Sequence, residues 1–414
     1  MQNERSAMKK TFVGIGFGPI QAGLFIYEAY SSGNFERYVV AEVMPDVVKA
    51  VRAGGGICRI NIAGQNGVEA RTIDKIEIYN PREAADRATL VDAVAGADEI
   101  ATALPSVSVY KAGGGQSVAA LLADGLKRRI AAGSGKRSVI YAAENHNHAA
   151  EILEEDLRGF LGGAAAEAMG LAQCLNTVIG KMSGVVADET QIREQVLARA
   201  AGDSGRCFLV EKFNRILISK VRWPDFKRGI TVFEEKPDLL PFEEAKLYGH
   251  NATHALIGYL ARRKKYRFIS DAAGDKALIN LARQAFIRES GGALCQKHKG
   301  LDSLFTPAGY AAYADDLLIR MLNPHLRDAV ERVVRDPRRK LGWDDRLIGT
   351  MRLALRENIQ PCLYAKGARA ALEMLSEAEK NDGNNILDEI WAGSPAGADE
   401  KEKVKKIIAS SVLD

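Results

Sequence analysis

The chain has 414 residues, of which 47% are hydrophobic and 27% are charged. This composition excludes a disordered chain, a fibrous repeat and a small disulfide-linked scaffold, and at about 150 residues per domain the length predicts two or three domains. The net charge is only +4 and no basic block is present, which argues against a protein dedicated to nucleic-acid binding.

The five cysteines are widely separated and form no C-x-x-C pair. They predict neither a disulfide framework nor a thiolate zinc site, and a reducing cytoplasm fits them best. Residues 1–10 are polar and lack the apolar stretch of a signal peptide, and no apolar run is long enough for a transmembrane helix. We therefore expect a cytoplasmic protein without membrane partners.

The first half of the chain alternates strand-like and helix-like segments. Residues 11–14 form a short apolar strand, 20–30 have helical spacing and 37–42 form a second strand, which is a β-α-β opening. This alternation predicts an α/β domain with a Rossmann-like, doubly wound parallel sheet. Further strands are predicted at 57–63, 76–79, 99–104 and 138–142, and further helices at 45–52, 81–94 and 116–132.

The pattern becomes nearly all-helical in the C-terminal part. Helices are predicted at 242–263, 271–289, 306–321, 326–335, 347–358 and 365–379. The second of them is expected to stop at Gly291-Gly292. The expected domains are 1–240, Rossmann-like, with strand-like pieces at 207–210 and 230–233 as an extension; 241–390, helical; and 391–414, a mobile tail with a short helix.

A glycine-rich turn joins the first strand to the first helix. Its residues are Gly14, Ile15, Gly16, Phe17, Gly18 and Pro19. A pyrophosphate at this position would meet backbone N–H groups and the positive end of a helix dipole. Pro19 replaces the third glycine of the G-x-G-x-x-G pattern, so a tight turn without a ligand remains an alternative. We count Gly14, Gly16, Phe17, Gly18 and Pro19 as cofactor-binding candidates.

Glu42 ends the second strand, 26 residues after Gly16. A carboxylate there can accept hydrogen bonds from both ribose hydroxyls, and Val43, Met44 and Pro45 offer no cation for a 2′-phosphate, which favours NAD over NADP. A solvated charge at the strand end is an equally good interpretation of Glu42. Thr102, in the predicted 99–104 strand, is also a cofactor-binding candidate.

A second group of polar residues lies on the helix that opens the second domain. At 100° per residue, Lys246, His250, His254 and Asn251 fall at roughly 0°, 40°, 80° and 140°, on one side of the helix. Alcohol oxidation needs a base for the hydroxyl proton and donors for the developing alkoxide. Lysine can be that base if burial or a nearby cation lowers its pKa. A solvated lysine and two satisfied histidines form the alternative.

These motifs carry a family resemblance that spans about Thr11 to Leu375. K-x4-N-x2-H at the start of an all-helical domain, after a strand-turn-helix opening, resembles the polyol-specific long-chain dehydrogenases. Ala143-Glu144-Asn145 stands where that family has C-x-N or C-D-N. The stretch from Asn323 to Leu347 resembles the branch of the family that uses phosphorylated sugar alcohols.

The resemblance implies roles for individual residues. Lys246 would be the general acid/base, Asn145 and Asn251 the donors to the reacting oxygen, and His254 a substrate-orienting donor. Arg332 and Lys340 would contact substrate oxygens, and Arg339 and His250 are added as substrate-binding candidates. The resemblance also implies a nicotinamide cofactor, no metal, and a substrate bound between a Rossmann domain and a helical domain.

A cationic cluster in the same C-terminal stretch favours a phosphate monoester as the substrate group. Arginine forks match phosphate oxygens, and the cluster contains Arg338, Arg339, Lys340 and Arg346. A solvated helix edge is an equally good interpretation of Arg338 and Arg346.

Several positions depart from the family pattern. The segment expected to read V-D-R after an asparagine runs instead from Asn176 to Lys181, Ala143 replaces a cysteine, and His146-Asn147-His148 follows Asn145. These changes affect the identity of the polyol more than the reaction. His146 and His148 could meet the helical histidines, but no carboxylate or cysteine pattern completes a metal site, and we expect none.

The sequence therefore predicts an NAD-dependent oxidoreductase that interconverts a sugar-alcohol phosphate, such as mannitol 1-phosphate, and a ketose phosphate. Two alternatives remain: a dehydrogenase of an unphosphorylated polyol or a hexuronate or aldonate, and a non-catalytic NAD-binding sensor. We expect a small-molecule substrate as the partner, no nucleic acid, and a monomer or homodimer.

Overall fold

The computed structural model describes residues 10–202, 204–395 and 397–413, so the polar segment at residues 1–9 lies outside the described part of the chain. The chain divides into two units, Met1–Leu239 and Leu240–Asp414. The expected boundary after residue 240 differs from this division by one residue. Within the described ranges, no helix is long and apolar enough to cross a membrane.

The N-terminal unit is built on an eight-stranded sheet with the order β5-β2-β1-β6-β7-β8-β11-β12. The six strands from β5 to β8 run parallel, and the order reverses at β1, as in doubly wound dinucleotide-binding domains. The strands are β1 Lys10–Ile15, β2 Phe35–Ala41, β3 Cys58–Ala63, β4 Val68–Ile73, β5 Ile76–Tyr79, β6 Glu99–Thr102, β7 Ser138–Ala142, β8 Ala172–Val178, β9 Ser183–Val186, β10 Cys207–Glu211, β11 Leu217–Ser219 and β12 Glu234–Lys236.

Successive side chains of a strand point to opposite faces of a sheet, and both faces of the large sheet are covered by a hydrophobic cluster. Phe12 and Val40 belong to one hydrophobic cluster, whereas their neighbours Val13 and Val39 belong to the other. The helices of this unit are α1 Tyr27–Ser32, α2 Pro45–Ala53, α3 Ala84–Gly96, α4 Val118–Ala131, α5 Ala149–Leu161, α6 Ala165–Leu171 and α7 Glu189–Glu194, and a π-helix, Gln21–Ile26, precedes α1. The predicted doubly wound fold is confirmed.

A second sheet, with the order β4-β3-β10-β9, completes the first hydrophobic cluster. The π-helix packs closely on it, since a Cβ on Gly23 would lie 2.6 Å from Cγ1 of Val210. The strand expected at 230–233 is not formed; Ile230 and Phe233 are buried core residues and β12 begins at Glu234.

The C-terminal unit is helical, as predicted. Its helices are α8 Leu240–Glu244, α9 Ala252–Arg263, α10 Lys276–Gln284, α11 Gly292–Lys297, α12 Pro307–Met321, α13 Val330–Val333, α14 Pro337–Lys340, α15 Ile348–Arg356, α16 Cys362–Glu379, α17 Gly383–Trp391 and α18 Ala398–Ser410. Two π-helices, Ala245–Asn251 and Ala285–Gly291, connect α8 to α9 and α10 to α11. The helix predicted at 326–335 is reduced to the four residues of α13.

The helix expected to stop at Gly291-Gly292 continues through both glycines as far as Lys297. A Cβ on Gly291 would lie 2.5 Å from Cδ1 of Tyr310, and one on Gly292 would lie 2.8 Å from Cδ1 of Ile359. The glycines therefore allow close helix packing and do not end the helix.

The tail expected to be mobile packs on the helical unit instead. Trp391, at the end of α17, is fully buried; its Nε1 donates to the Leu341 carbonyl at 2.8 Å, and its ring lies 4.9 Å from that of Trp343. Val404 and Ile408 of α18 are also buried. The prediction of a mobile tail was based on the polar composition of the connecting segments, which outnumber the few buried apolar residues.

Candidate active site

The glycine turn lies at the carboxyl end of β1, where the strand order reverses between β2 and β6. Gly16 has a φ of +86°, and a Cβ there would stand 2.9 Å from the carbonyl oxygen of Ala103. The Gly16 N–H donates to Ala41 at 2.8 Å. Only glycine fits this conformation and this gap, and dinucleotides bind at this position in doubly wound sheets.

Gly18 and Pro19 begin the following helix. The Gly18 carbonyl accepts from the Ala22 N–H at 2.9 Å, and a Cβ on Gly18 would meet nothing within 4 Å, so the space beside it is open. Proline is tolerated in a first helical turn because its missing N–H has no intrahelical partner there. The replaced third glycine therefore does not disrupt the turn.

Gly14 makes room for a buried amide. A Cβ on Gly14 would fall 2.0 Å from Nε2 of Gln21. The Gln21 side chain is fully buried, and in the part of the chain that the structure describes neither its Nε2 nor its Oε1 has a partner. This packing explains the glycine at position 14 without a ligand, and a cofactor contact there stays a prediction.

Glu42 is neither a solvated charge nor a free ribose ligand. It is 8% exposed, and its two oxygens accept from the backbone N–H groups of Phe17 and Met44, each at 2.9 Å. The carboxylate thus ties the glycine turn to the end of β2, and it occupies the N–H that Phe17 could have offered to a phosphate. Each oxygen retains a further lone pair for a ribose hydroxyl.

Thr102 does not present its side chain to a cofactor. It is fully buried, and its hydroxyl donates to Glu144 at 2.9 Å. Glu144 also accepts from the Leu104 N–H at 2.9 Å and from the Tyr110 hydroxyl, and burial raises the pKa of its carboxyl despite these donors. The structure assigns Thr102 to the support of Glu144, which fixes the loop that carries Asn145.

Asn145, His146 and His148 are exposed after β7. The two histidine rings lie 6.1 Å apart, and the His148 N–H donates to Nδ1 of His146 at 3.1 Å. Among the described residues, no group of three or more His, Cys, Asp or Glu side chains could hold a metal ion.

The segment that departs from the family pattern has structural contacts. Asn176 accepts from the Ala150 N–H at 2.8 Å and donates to Glu151, so it holds the first turn of α5. Lys181 is buried and donates to the carbonyls of Glu211 and Phe213 at 2.7 and 2.6 Å. At these positions, where the chain departs from the family pattern, the side chains stabilise the N-terminal unit.

Lys246 and Asn251 lie in a π-helix, Ala245–Asn251. In an α-helix they would be separated by roughly 140° around the axis. Because π-helical bonding links residues five apart, it brings Lys246 and Asn251 towards the same face. Single π turns are frequent at functional sites, and regular α-helical spacing does not reveal this one.

Lys246 is half-buried as a residue. Burial lowers its pKa from 10.5 to about 8; the carboxylate of Glu243 opposes this shift and the guanidinium of Arg346 adds to it. A fraction of the amine is therefore neutral near physiological pH, as a general base requires.

A pocket in the C-terminal unit brings together residues predicted from two distant segments. Asn251 and His254 line it, together with Arg332, Arg339 and Lys340. The remaining lining residues are Ala255, Val333, Arg335, Asp336 and Arg346. Five of the ten lining residues are Arg or Lys and one is acidic, so the pocket suits an anionic ligand.

Lys340 is the most unusual cation of this pocket. It is 4% exposed, and burial, reinforced by Arg346 and Arg339, lowers its pKa to about 8. The carboxylates of Asp336 and Asp345 oppose this shift only in part. Arg346 and Arg339 instead share Asp345, at 2.8 and 3.6 Å.

Arg338 and His250 do not belong to the pocket. Arg338 is exposed and pairs with Glu379 and Glu389, which matches the solvated alternative. His250 is 6% exposed and does not line the pocket; burial and nearby cations hold its pKa well below 6.5, so its ring is neutral. Its expected contact with substrate is not supported.

Comparisons with known proteins agree with these features. The sequence profile described as the mannitol dehydrogenase C-terminal domain matches residues 238–413. A mannitol-1-phosphate 5-dehydrogenase of Shouchella clausii is 28% identical over 324 residues, 78% of each chain. The enzyme of the same name from Geobacillus thermodenitrificans is 28% identical over 337 residues, 81% of this chain and 79% of that one. The C-terminal unit is therefore similar to the C-terminal domain of mannitol dehydrogenases, and about four fifths of the chain is similar to mannitol-1-phosphate 5-dehydrogenases.

Solved structures show the same fold. A D-sorbitol dehydrogenase superposes with a TM-score of 0.76 at 14% identity, over 98% of this chain and 94% of that chain. Mannitol 2-dehydrogenase of Pseudomonas fluorescens, in a complex with NAD and D-mannitol, superposes with a TM-score of 0.71 at 14% identity, over 97% and 92%.

One feature of the C-terminal unit was not predicted from the sequence. Asp328 lies four residues before Arg332, and its carboxylate contacts both Arg332 and His254. The i,i+4 spacing of opposite charges was the available signal. Arg335 was also missed; it lines the pocket, and nothing in its sequence context distinguishes it from a solvated arginine.

Proposed function

We propose that this chain is an NAD-dependent dehydrogenase that interconverts a sugar-alcohol phosphate and a ketose phosphate, with Lys246 as the general acid/base. The observation that supports it most is the pocket that places Asn251 and His254 beside five cationic residues and one acidic residue. An anionic substrate end would bind these cations, and remote binding energy of this kind orients a reacting carbon.

The N-terminal unit offers a suitable place for NAD. Gly16 leaves a gap that a Cβ would fill, Gly18 faces open space, and Glu42 has oxygens fixed by backbone donors. These residues would hold the pyrophosphate and the adenosine ribose. Bound NAD⁺ supplies the hydride acceptor, and the other steps below are those of this chain's own side chains.

In alcohol oxidation, the neutral amine of Lys246 would accept the hydroxyl proton as the carbon loses hydride. Asn251, brought towards the same face by the π-helix, would donate to the oxygen as it develops negative charge. Asn145 is assigned the same role by resemblance. In ketose reduction the ammonium of Lys246 would return the proton. His254 and Arg332 would hold substrate oxygens.

The substrate class is tested by comparing kcat/KM on mannitol 1-phosphate, free mannitol, hexuronates and aldonates. We expect the phosphorylated substrate to be preferred. Lys340→Ala should raise its KM by about 10- to 100-fold, the loss of one or two charge-assisted contacts, and should leave the KM of free mannitol nearly unchanged.

Arg338→Ala is the matched control, because Arg338 is a neighbouring cation that pairs outside the pocket. It should leave the KM of both substrates unchanged. A preference for free polyols or sugar acids, or equal effects of the Lys340 and Arg338 substitutions, would overturn the phosphate assignment.

A further inference from the structure

Asp328 is a buried carboxylate between two candidate substrate-binding residues. It is 8% exposed. Its Oδ2 lies 2.9 Å from Nε2 of His254, and its Oδ1 accepts from Nε of Arg332 at 2.7 Å. Both atoms of the His254 contact are buried, and their alignment falls outside hydrogen-bond geometry, so the contact is a close charge approach that leaves both atoms without another partner among the described residues. One carboxylate thus contacts two residues that line the cationic pocket.

The backbone holds Asp328 in place without help from its side chain. Its carbonyl accepts from the Ile269 N–H at 2.9 Å, and the Val330 N–H donates to Arg267 at 3.0 Å. Phe268 and Ala329 form an isolated antiparallel bridge. The carboxylate is therefore placed by the chain around it, and a substitution of similar shape should leave the fold intact.

The contact decides which nitrogen of His254 carries a proton. A carboxylate accepts hydrogen bonds and cannot donate them when ionised. Burial alone would raise the pKa of Asp328, but His254 and Arg332 outweigh it and the net pKa is lowered, so the carboxylate is ionised. At 2.9 Å an unprotonated Nε2 would set its lone pair against that of the carboxylate oxygen, so the contact favours the proton on Nε2 and leaves Nδ1 for a ligand. In the neutral ring Nδ1 accepts a hydrogen bond, and in the imidazolium it donates one.

Most of the other charged groups near His254 are cationic. His250 lies 6.4 Å away, ring to ring, and Arg320, Lys246 and Arg346 help to lower the pKa of His250. Two carboxylates carry the opposite charge: Asp328 lies 2.9 Å from His254, and Asp336 lines the same pocket as His254.

We propose that Asp328 is a positioning residue that fixes the proton of His254 on Nε2 and aligns His254 and Arg332 for the substrate. The inference rests on the proposed function for its kinetic consequence, but its structural part concerns His254 alone. It adds a residue to the site that neither the family pattern nor the comparisons assign.

The structural part is tested with Asp328→Asn, by the ¹⁵N chemical shifts of the His254 ring. The chain has six histidines, and the His254 signals are those lost in His254→Asn. In the wild-type protein the neutral ring should carry its proton on Nε2. In Asp328→Asn the amide oxygen can still accept from Arg332, so the amide NH₂ faces His254, and the proton should move to Nδ1.

The kinetic part uses kcat/KM for the sugar-alcohol phosphate. Asp328→Asn should lower it by roughly 10- to 100-fold, as expected from misaligned substrate contacts. In a His254→Asn background, the additional loss should be much smaller, because the two residues act as one unit. Asp315→Asn is the matched control: Asp315 pairs with Arg283 at 2.6 Å and does not line the pocket.

An unchanged tautomer in Asp328→Asn overturns the inference. A changed tautomer with kcat/KM equal to that of Asp315→Asn overturns the positioning role. If the wild-type protein oxidises no polyol phosphate, the proposed function fails, while the ¹⁵N shifts still decide the His254 assignment. If Asp328→Asn does not fold by circular dichroism, the wild-type tautomer remains decisive, since a proton on Nδ1 alone contradicts the inference.

Discussion

At the scale of single residues, burial converts ordinary side chains into reactive ones. Lys246 and Lys340 both have pKa values lowered to about 8, chiefly by burial, and Arg346 adds to both shifts. The consequences differ, because Lys246 lies in the π-helix beside Asn251 whereas Lys340 lines the anion pocket. The Lys246 amine is therefore suited to proton transfer, whereas the Lys340 amine is suited to binding an anion, whose negative charge would stabilise the protonated form.

The pKa of Lys246 predicts a pH profile for kcat. Oxidation requires the neutral amine, so kcat at saturating substrate should rise with pH and level off above about 8. Reduction requires the ammonium, so its kcat should fall over the same range. Lys340→Ala should leave the inflection of this profile in place. An oxidation kcat that does not change between about pH 6 and 9, one to two pH units on either side of the expected inflection, would contradict the role of Lys246.

Removal of the amine gives the complementary prediction. Lys246→Ala should lower kcat for oxidation by about 10²- to 10⁴-fold, the usual contribution of a general base. Binding of NADH, measured by fluorescence, should be unchanged because the cofactor candidates lie in the other unit. Near-full activity of Lys246→Ala would show that another group takes the proton. A wild-type protein that binds NADH but oxidises neither phosphorylated nor free polyols would favour the sensor alternative.

At the scale of secondary structure, the π-helices and the helical glycines matter most. The π-helix at 245–251 changes which motif residues share a face. The π-helix at 285–291 runs directly into α11, so that one continuous helix passes through Gly291 and Gly292. Both features depend on packing against neighbouring helices, which sequence periodicity does not report.

The glycine contact gives a stability prediction. Gly291→Ala should lower the free energy of unfolding by about 1–3 kcal/mol, the usual cost of overpacking, because the new Cβ would lie 2.5 Å from Cδ1 of Tyr310. Gly159→Ala is the control; Gly159 is inside α5 and its Cβ would meet nothing within 4 Å. That change should stabilise α5 by about 0.5–1 kcal/mol. Urea unfolding measures both, and equal effects would contradict the packing argument.

At the scale of the whole molecule, the C-terminal helices α17 and α18 stabilise the helical unit. Trp391 is the main anchor of this segment, and its indole N–H bonds the carbonyl of Leu341, the residue after Lys340. The segment therefore connects overall stability to the cationic pocket, although its composition suggested a loose tail.

Trp391→Ala should lower the free energy of unfolding by about 3–5 kcal/mol, as for other buried tryptophans. It should also weaken binding of the phosphorylated substrate, because loss of the indole hydrogen bond would release Leu341, the residue next to Lys340. Trp223→Ala, at a half-buried tryptophan of the N-terminal unit, is the comparison. Denaturation followed by circular dichroism measures both changes. A cost at Trp391 no larger than at Trp223 would show that α17 contributes little.

The doubly wound sheet, the helical second half, the glycine turn and the K-x4-N-x2-H motif could be predicted from the sequence, because they follow from local periodicity and from residues close together in the chain. Lys246, Asn251, His254, Arg332 and Lys340 were predicted as site residues in the same way, and the last four line one pocket. Three further contacts became visible only in the folded chain: Thr102 donates to Glu144, Glu42 accepts from backbone N–H groups, and Asp328 contacts His254.

These contacts join residues far apart in the chain, and a hydrogen-bond partner or a buried environment cannot be predicted from spacing. The same reason applies to cofactor selectivity. No cation follows Glu42 in the sequence, yet Nη1 of Arg206 lies 3.3 Å from Sδ of Met44. A strand and its neighbouring turn are specified locally, whereas the charge that surrounds them depends on which distant segments pack beside them.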